Sequence, residues 1–169
     1  MPTPREQYFF LKRNDRGEEY IESFDEVLVL PIDQDGSILF ARESAPAFGG
    51  EPVLVLPGGT VEPRESMADT ANRELQEELG LRAGRLEYLG ELTPWSKYLG
   101  VRSHIYLGRD LTASKLHGDE PEEVGMERVP WNAVESMLMS GHLRDARAIA
   151  ALYRAQLVLN SQHQAGAQQ

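Results

Sequence analysis

Residues 53–80 constrain this chain more than any other segment. Val53-Leu54-Val55-Leu56 is a continuous apolar run, the pattern of a short strand buried on both faces. Pro57-Gly58-Gly59 stops it. Over residues 66–79 the apolar period becomes helical: Met67, Ala71 and Leu75 recur every four residues, with Ala68 and Leu79 widening the stripe. Ser66 or Glu65 can start this helix, and Gly80 ends it. Glu74, Glu77 and Glu78 stand at i, i+3 and i+4, which sets three carboxylates on one helix face about 5–6 Å apart. Like charges at that spacing destabilise an exposed helix face. A cation among them reverses the effect, and carboxylate oxygens are hard ligands that suit Mg²⁺ or Mn²⁺. A solvated acidic face is the plainer alternative. Arg73 beside the cluster, and Glu65 with a glycine loop ahead of it, argue against it.

The other segments predict a mixed α/β chain. Residues 5–25 read as a weak hairpin or arm around Asn14-Asp15-Arg16-Gly17. Val27–Leu30 is a buried strand, Asp33-Gln34-Asp35-Gly36 a hairpin turn, and Ile38–Phe40 the returning strand. Residues 43–52, with Pro46, Gly49, Gly50 and Pro52, read as a loop. Strand-like segments follow at 86–92 and 102–107, then an acidic loop at 117–127. Two helices are expected, Trp131–Ser140 and His142–Leu159, the second burying Leu143, Ala146, Ala150, Tyr153 and Leu157. The end, Asn160–Gln169, reads as a polar tail. The expected organisation is an N-terminal arm or hairpin over 1–24, available for a dimer contact, one domain over 25–160, and a disordered tail over 161–169.

Composition narrows the function. The 169 residues include 27 Asp and Glu against 17 Lys and Arg, a net charge of −10. Such a surface repels phosphate backbones, so no nucleic-acid partner is expected. An anionic substrate would need local neutralisation, which metal held by carboxylates supplies. The chain has no cysteine, which excludes disulfides, thiolate zinc sites and a cysteine nucleophile. No apolar run approaches the roughly 20 residues of a membrane span, and no signal-peptide core precedes the first strand. The expected location is cytoplasmic.

The motif reads Gly59, five residues, Glu65, seven residues, Arg73-Glu74-Leu75, one residue, Glu77-Glu78, one residue, Gly80-Leu81. It resembles the Nudix box at every fixed position, a match expected by chance at roughly 10⁻⁹ per register. The resemblance implies a metal-dependent hydrolase of nucleoside diphosphates linked to another moiety. Its expected fold is an α/β/α sandwich with a mixed central sheet and a loop–helix–loop motif. It makes Glu74 and Glu78 the main metal ligands, with the Gly58 carbonyl as a backbone ligand and Glu77 as a further ligand or a base. Arg73 would orient the carboxylates, paired with Glu65. Ala71–Leu75, Gly118–Glu122 and Asp145-Ala146-Arg147 resemble the ADP-compounds hydrolases of the ADP-ribose pyrophosphatase group. Pro94 resembles that group's marker proline, and Val55 stands where the group carries a glutamate.

That subgroup implies release of AMP from ADP-ribose, NADH or diadenosine polyphosphates, and a homodimer. The alternative within the superfamily is a nucleoside triphosphate or dinucleoside polyphosphate hydrolase. A ligand sensor on the same fold would be expected to lack one of the glutamates, and an isomerase would call for a cysteine. Glu122 or Glu120, in the acidic loop, are candidates for the general base. Arg42 resembles a phosphate-contacting arginine, with Glu43 beside it. Trp95 and Tyr98, in a Pro/Gly loop, are candidates to stack on adenine; Trp131 reads as core. His104 and His117 are not expected to be ligands.

Overall fold

The computed structural model describes residues 9–117 and 125–166. In chain order the strands before the first helix are β1 (Phe10–Arg13), β2 (Glu19–Glu22), β3 (Glu26–Pro31), β4 (Ser37–Ala45), β5 (Glu51–Val55) and β6 (Gly58–Thr60). Helix α1 (Met67–Leu79) leads into β7 (Leu81–Leu92), β8 (Leu99–Gly100), β9 (Ser103–Ala113) and β10 (Gly125–Pro130). Helices α2 (Val134–Met139) and α3 (Ala146–Gly166) complete the chain.

The central sheet has the order β6-β3-β9-β7. It is mixed: β3 and β9 run parallel, while β6 and β7 are antiparallel to their neighbours. Strand β3 explains why its sequence is apolar without alternation. Val27 and Val29 face α1, packing with Ala71, Leu75 and Ala83. Leu28 and Leu30 face the opposite way, against Phe40, Ile105, Leu107 and the α3 residues Ala148, Ala151, Leu152 and Ala155. A strand covered on both faces needs apolar residues at every position. The result is the expected α/β/α sandwich, completed by an antiparallel sheet β10-β4-β5 and a small sheet β1-β2-β8. Among the described residues no helix is long and apolar enough to cross a membrane.

Several boundaries differ from expectation. The loop foreseen over 43–52 is mostly a hairpin: β4 and β5 pair as far as Ala45 and Glu51, leaving Pro46–Phe48 as a single 3-10 turn. Strands β7 and β9 are each longer than expected because they pair from Leu81–Ala113 to Leu92–Ser103. Trp131–Ala133 is a 3-10 turn ahead of the short α2 rather than its first turn. Helix α3 begins at Ala146, not His142, and its buried face is the other phase of the same period. Ala148, Ala151, Leu152 and Ala155 are buried, Ala146 is exposed, and Tyr153 and Leu157 are 64% and 53% exposed. Both phases satisfy helical spacing; the alanines win because a smooth face lets the helix lie close on the sheet. α3 also continues to Gly166 where a polar tail was expected, since nothing between Asn160 and Gly166 breaks a helix and Gln162 bonds the Glu87 carboxylate at 3.1 Å.

Candidate active site

Helix α1 is fixed at both ends and along its length. The Ser66 hydroxyl accepts the Asp69 N–H at 3.2 Å. Gly80 closes the helix at φ 67°, its N–H reaching the Gln76 carbonyl, a left-handed cap that glycine adopts without strain. Asn72 accepts the Ala83 N–H from β7 at 2.9 Å, and Gln76 bonds Ser114 at 2.7 Å. Buried Thr70, not Ala68, widens the apolar stripe. These ties set the azimuth of the opposite face, where the glutamates stand.

Arg73 organises that face. Its Nη1 donates to Glu74 at 2.8 Å and to Glu77 at 3.0 Å. Its Nε reaches Glu65 at 3.1 Å, and its Nη2 donates to the Thr60 carbonyl at 3.2 Å. One planar guanidinium thereby joins α1, the loop before it and β6, which an ammonium cannot do. Burial raises the Glu65 carboxyl, but hydrogen bonds from Arg73 and Thr70 and the Arg73 charge outweigh it, so its pKa lies below the ordinary glutamate value. Burial opposes the charge on Arg73, yet Glu65 and Glu74 raise its pKa and keep it a cation.

The glycines make room for the carboxylates. A Cβ on Gly59 would lie 2.3 Å from Glu74 Oε1, so only glycine admits that carboxylate to the strand. A Cβ on Gly58 would lie 2.1 Å from the Val27 carbonyl. The Gly58 N–H donates to Glu78 Oε1 at 3.1 Å. Glu78 is only 6% exposed, so this is not the solvated acidic face of the plainer alternative. Glu65, Glu74 and Glu77 share one guanidinium in a partly buried site, Glu78 is held by the Gly58 N–H, and their oxygens fit a divalent cation in kind. Among the described residues, no three carboxylate or imidazole side chains already form a cage around one point; Arg73 lies between Glu74 and Glu77.

A cleft of about 390 Å³ opens beside this cluster, and Thr60 belongs to both. Phe9, Phe24, Pro94, Leu99 and Val101 give it apolar walls. Glu26 and Arg147 give it a polar floor, paired at 3.0 Å. Arg147 also holds Asp145 at 3.3 Å, and Ser103 donates to Glu26. Burial disfavours the Arg147 charge, but Glu26 and Asp145 more than offset that and hold it protonated.

A family model, the NUDIX domain, matches residues 23–152. The chain belongs to the Nudix family. It is 32% identical over 127 residues to the ADP compounds hydrolase NudE of Escherichia coli (strain K12), covering 75% of this chain and 67% of that protein. An uncharacterized Nudix hydrolase, NudL of Yersinia enterocolitica, is 26% identical over 125 residues, 72% of this chain and 64% of that one. A crystal structure of an ADP compounds hydrolase superposes with a TM-score of 0.79 at 27% identity, covering 95% of this chain and 91% of the other. The chain is thus a Nudix-family hydrolase.

Not every residue read from the Nudix chain's sequence meets at this site. Glu65, Arg73, Glu74, Glu77, Glu78 and Gly58 come together as described. Trp95 and Tyr98 flank the cleft through Pro94 and Leu99, with their rings edge to face at 4.9 Å. Arg42 lies in the second sheet, ion-paired to Glu127, and is absent from the cleft lining, as is its neighbour Glu43. Glu120 and Glu122 fall outside the described residues; Glu127, expected in the same loop, is in β10. His104 is buried and bonds the Tyr88 hydroxyl at 3.0 Å. Glu26, Phe24 and Ser103 were not singled out in the sequence. Arg147 was legible only as part of Asp145-Ala146-Arg147, since its partner Glu26 lies 121 residues away.

Proposed function

We propose that this Nudix hydrolase cleaves the pyrophosphate bond of ADP-linked compounds and releases AMP. The observation that carries the reading is the sharing of Thr60 between the carboxylate cluster and the aromatic-walled cleft. A substrate with its base against Phe24 and its ribose near Glu26 and Arg147 reaches the α1 face with its phosphates. The names of the similar hydrolases support ADP-linked substrates over others.

Glu74, Glu77 and Glu78, with the Gly58 carbonyl, would hold Mg²⁺ or Mn²⁺. A divalent cation held by these residues would supply charge neutralisation for the phosphates and acidity for the attacking water. The chain's own groups do the rest. Arg73 keeps the carboxylates aligned while carrying its charge throughout. Glu77, or Glu120 or Glu122 of the acidic stretch 117–127, accepts the proton of the attacking water, a role worth roughly 10²–10⁴ in rate. The cleft binds and orients the nucleoside part. Products from ADP-ribose would be AMP and ribose 5-phosphate.

The small sheet supports a homodimer: Leu11 and Ile21, paired across β1 and β2, both stand exposed, an apolar pair that a second copy would cover.

The test is a substrate panel with product identification: ADP-ribose, NADH, diadenosine polyphosphates and nucleoside triphosphates, each with Mg²⁺ and with Mn²⁺. The expected result is AMP from the ADP-linked members at the highest kcat/KM. A preference for nucleoside triphosphates with release of pyrophosphate would replace this reading.

A further inference from the structure

A second cleft, of about 470 Å³, lies at the opposite end of β3. The carboxylate site adjoins Glu26–Leu28, which pair with β6, whereas this cleft begins at Ile32 and Asp33, just past Pro31. Ile32 lies four residues beyond Leu28 and six beyond Glu26, about 13–20 Å along the strand. The volume is that of a small-molecule pocket.

Its lining combines one aromatic ring, one cation and three amides: Trp131, Arg109, Gln34, Gln156 and Asn160, together with Leu159. Among the described residues the Arg109 side chain makes no hydrogen bond and no ion pair. It is partly buried. Arg85 of β7 stands directly opposite it in register, and like charges in a cross-strand pair destabilise a sheet. Arg85 has a distant, exposed partner in Asp110 at 3.7 Å; Arg109 has none of comparable kind. Asp110, the next residue, adopts φ +56°, an uncommon conformation outside glycine that marks a local irregularity at this arginine. The acidic lining residue, Asp33, is already engaged by Arg128 and by the N–H groups of Asp35 and Ser37. An anion at Arg109 therefore meets a cation whose sheet neighbour is a second cation, within a chain that is otherwise strongly acidic.

We propose that this cleft is a second ligand site, for a nucleoside monophosphate. A planar base stacks on the accessible face of Trp131. Gln156 and Asn160 offer amide donors and acceptors to its edge. Arg109 takes the phosphate through charge-assisted hydrogen bonds. The assignment does not rest on the reading of the carboxylate face and survives its failure.

The two tryptophans of the chain permit a direct test. In a Trp95→Phe protein, only Trp131 reports. AMP is titrated with a chelator present, alongside adenosine and inorganic phosphate as separate probes, and each curve is repeated with Glu78→Gln and with Arg109→Gln. The expected result is saturable quenching by AMP, unchanged by Glu78→Gln and weakened about tenfold by Arg109→Gln. Adenosine and phosphate alone should each bind more weakly than AMP. Thermal unfolding of Arg109→Gln and of Arg109→Lys, which keeps the charge and should retain part of the affinity, separates ligand loss from misfolding. Three results overturn the proposal: no saturable change with AMP, an equal affinity in Arg109→Gln, or phosphate binding as tightly as AMP.

Discussion

At the scale of single residues, the site depends on small geometric permissions. Gly59→Ala introduces a methyl group 2.3 Å from Glu74 Oε1, and that carboxylate must move. The expected outcome is a fall in kcat/KM of at least tenfold with little change in Tm, read from kinetics and thermal unfolding on the same sample. Arg73→Lys keeps the charge but loses the fork that spans Glu65, Glu74, Glu77 and Thr60. Residues that orient metal ligands typically contribute 10–100-fold in affinity or activity. The metal concentration giving half-maximal rate should therefore rise by about that factor, and an unchanged metal titration would contradict the orienting role.

At the scale of elements, the turn between β3 and β4 makes its own contribution to stability. Asp33 Oδ1 accepts N–H groups from Asp35 and Ser37, both at 2.9 Å, and Oδ2 accepts from Arg128 of β10. Burial raises the Asp33 carboxyl, but Arg128 and the two N–H groups outweigh it and hold its pKa below the ordinary value of 3.8. A depressed pKa gives stability that is fully present above 3.8 and lost as pH falls through the lower folded value. Chemical denaturation of wild type and Asp33→Asn should show a constant difference above about pH 5 that shrinks in acid; a difference independent of pH would contradict the linkage. Helix α1 depends likewise on its cap, and Ser66→Ala should cost about 1 kcal/mol. Elements with a period and a stop were legible in the sequence. Strand β3 is apolar at every position from Val27 to Pro31, and α1 has a stripe, a cap and a closing glycine. The face of α3 was not legible, because two sets of apolar residues share one helical period and only the packed sheet selects between them. The same holds for the cleft. Glu26 and Arg147 meet through tertiary structure alone, and nothing near either residue announces the other.

At the scale of the whole molecule, a strongly acidic chain gathers its cations where they organise structure: Arg73 at the carboxylates, Arg147 at the cleft, Arg128 at the far turn. The exposed apolar side chains of the small sheet predict association. Light scattering should give about twice the chain mass of 18.9 kDa, and Leu11→Glu with Ile21→Glu should shift it to the monomer. A wild-type monomer at micromolar concentration would contradict the dimer. The central claim is that the buried α1 carboxylates carry a metal-dependent hydrolysis. Glu78→Gln tests it without unfolding the site, because the amide oxygen can still accept the Gly58 N–H. The decisive measurement is the initial rate of AMP release from ADP-ribose as Mg²⁺ is titrated, in wild type and in Glu78→Gln. The account predicts a kcat lower by about 100-fold or more and a higher half-saturating Mg²⁺ in the variant. Superimposable titration curves would contradict it.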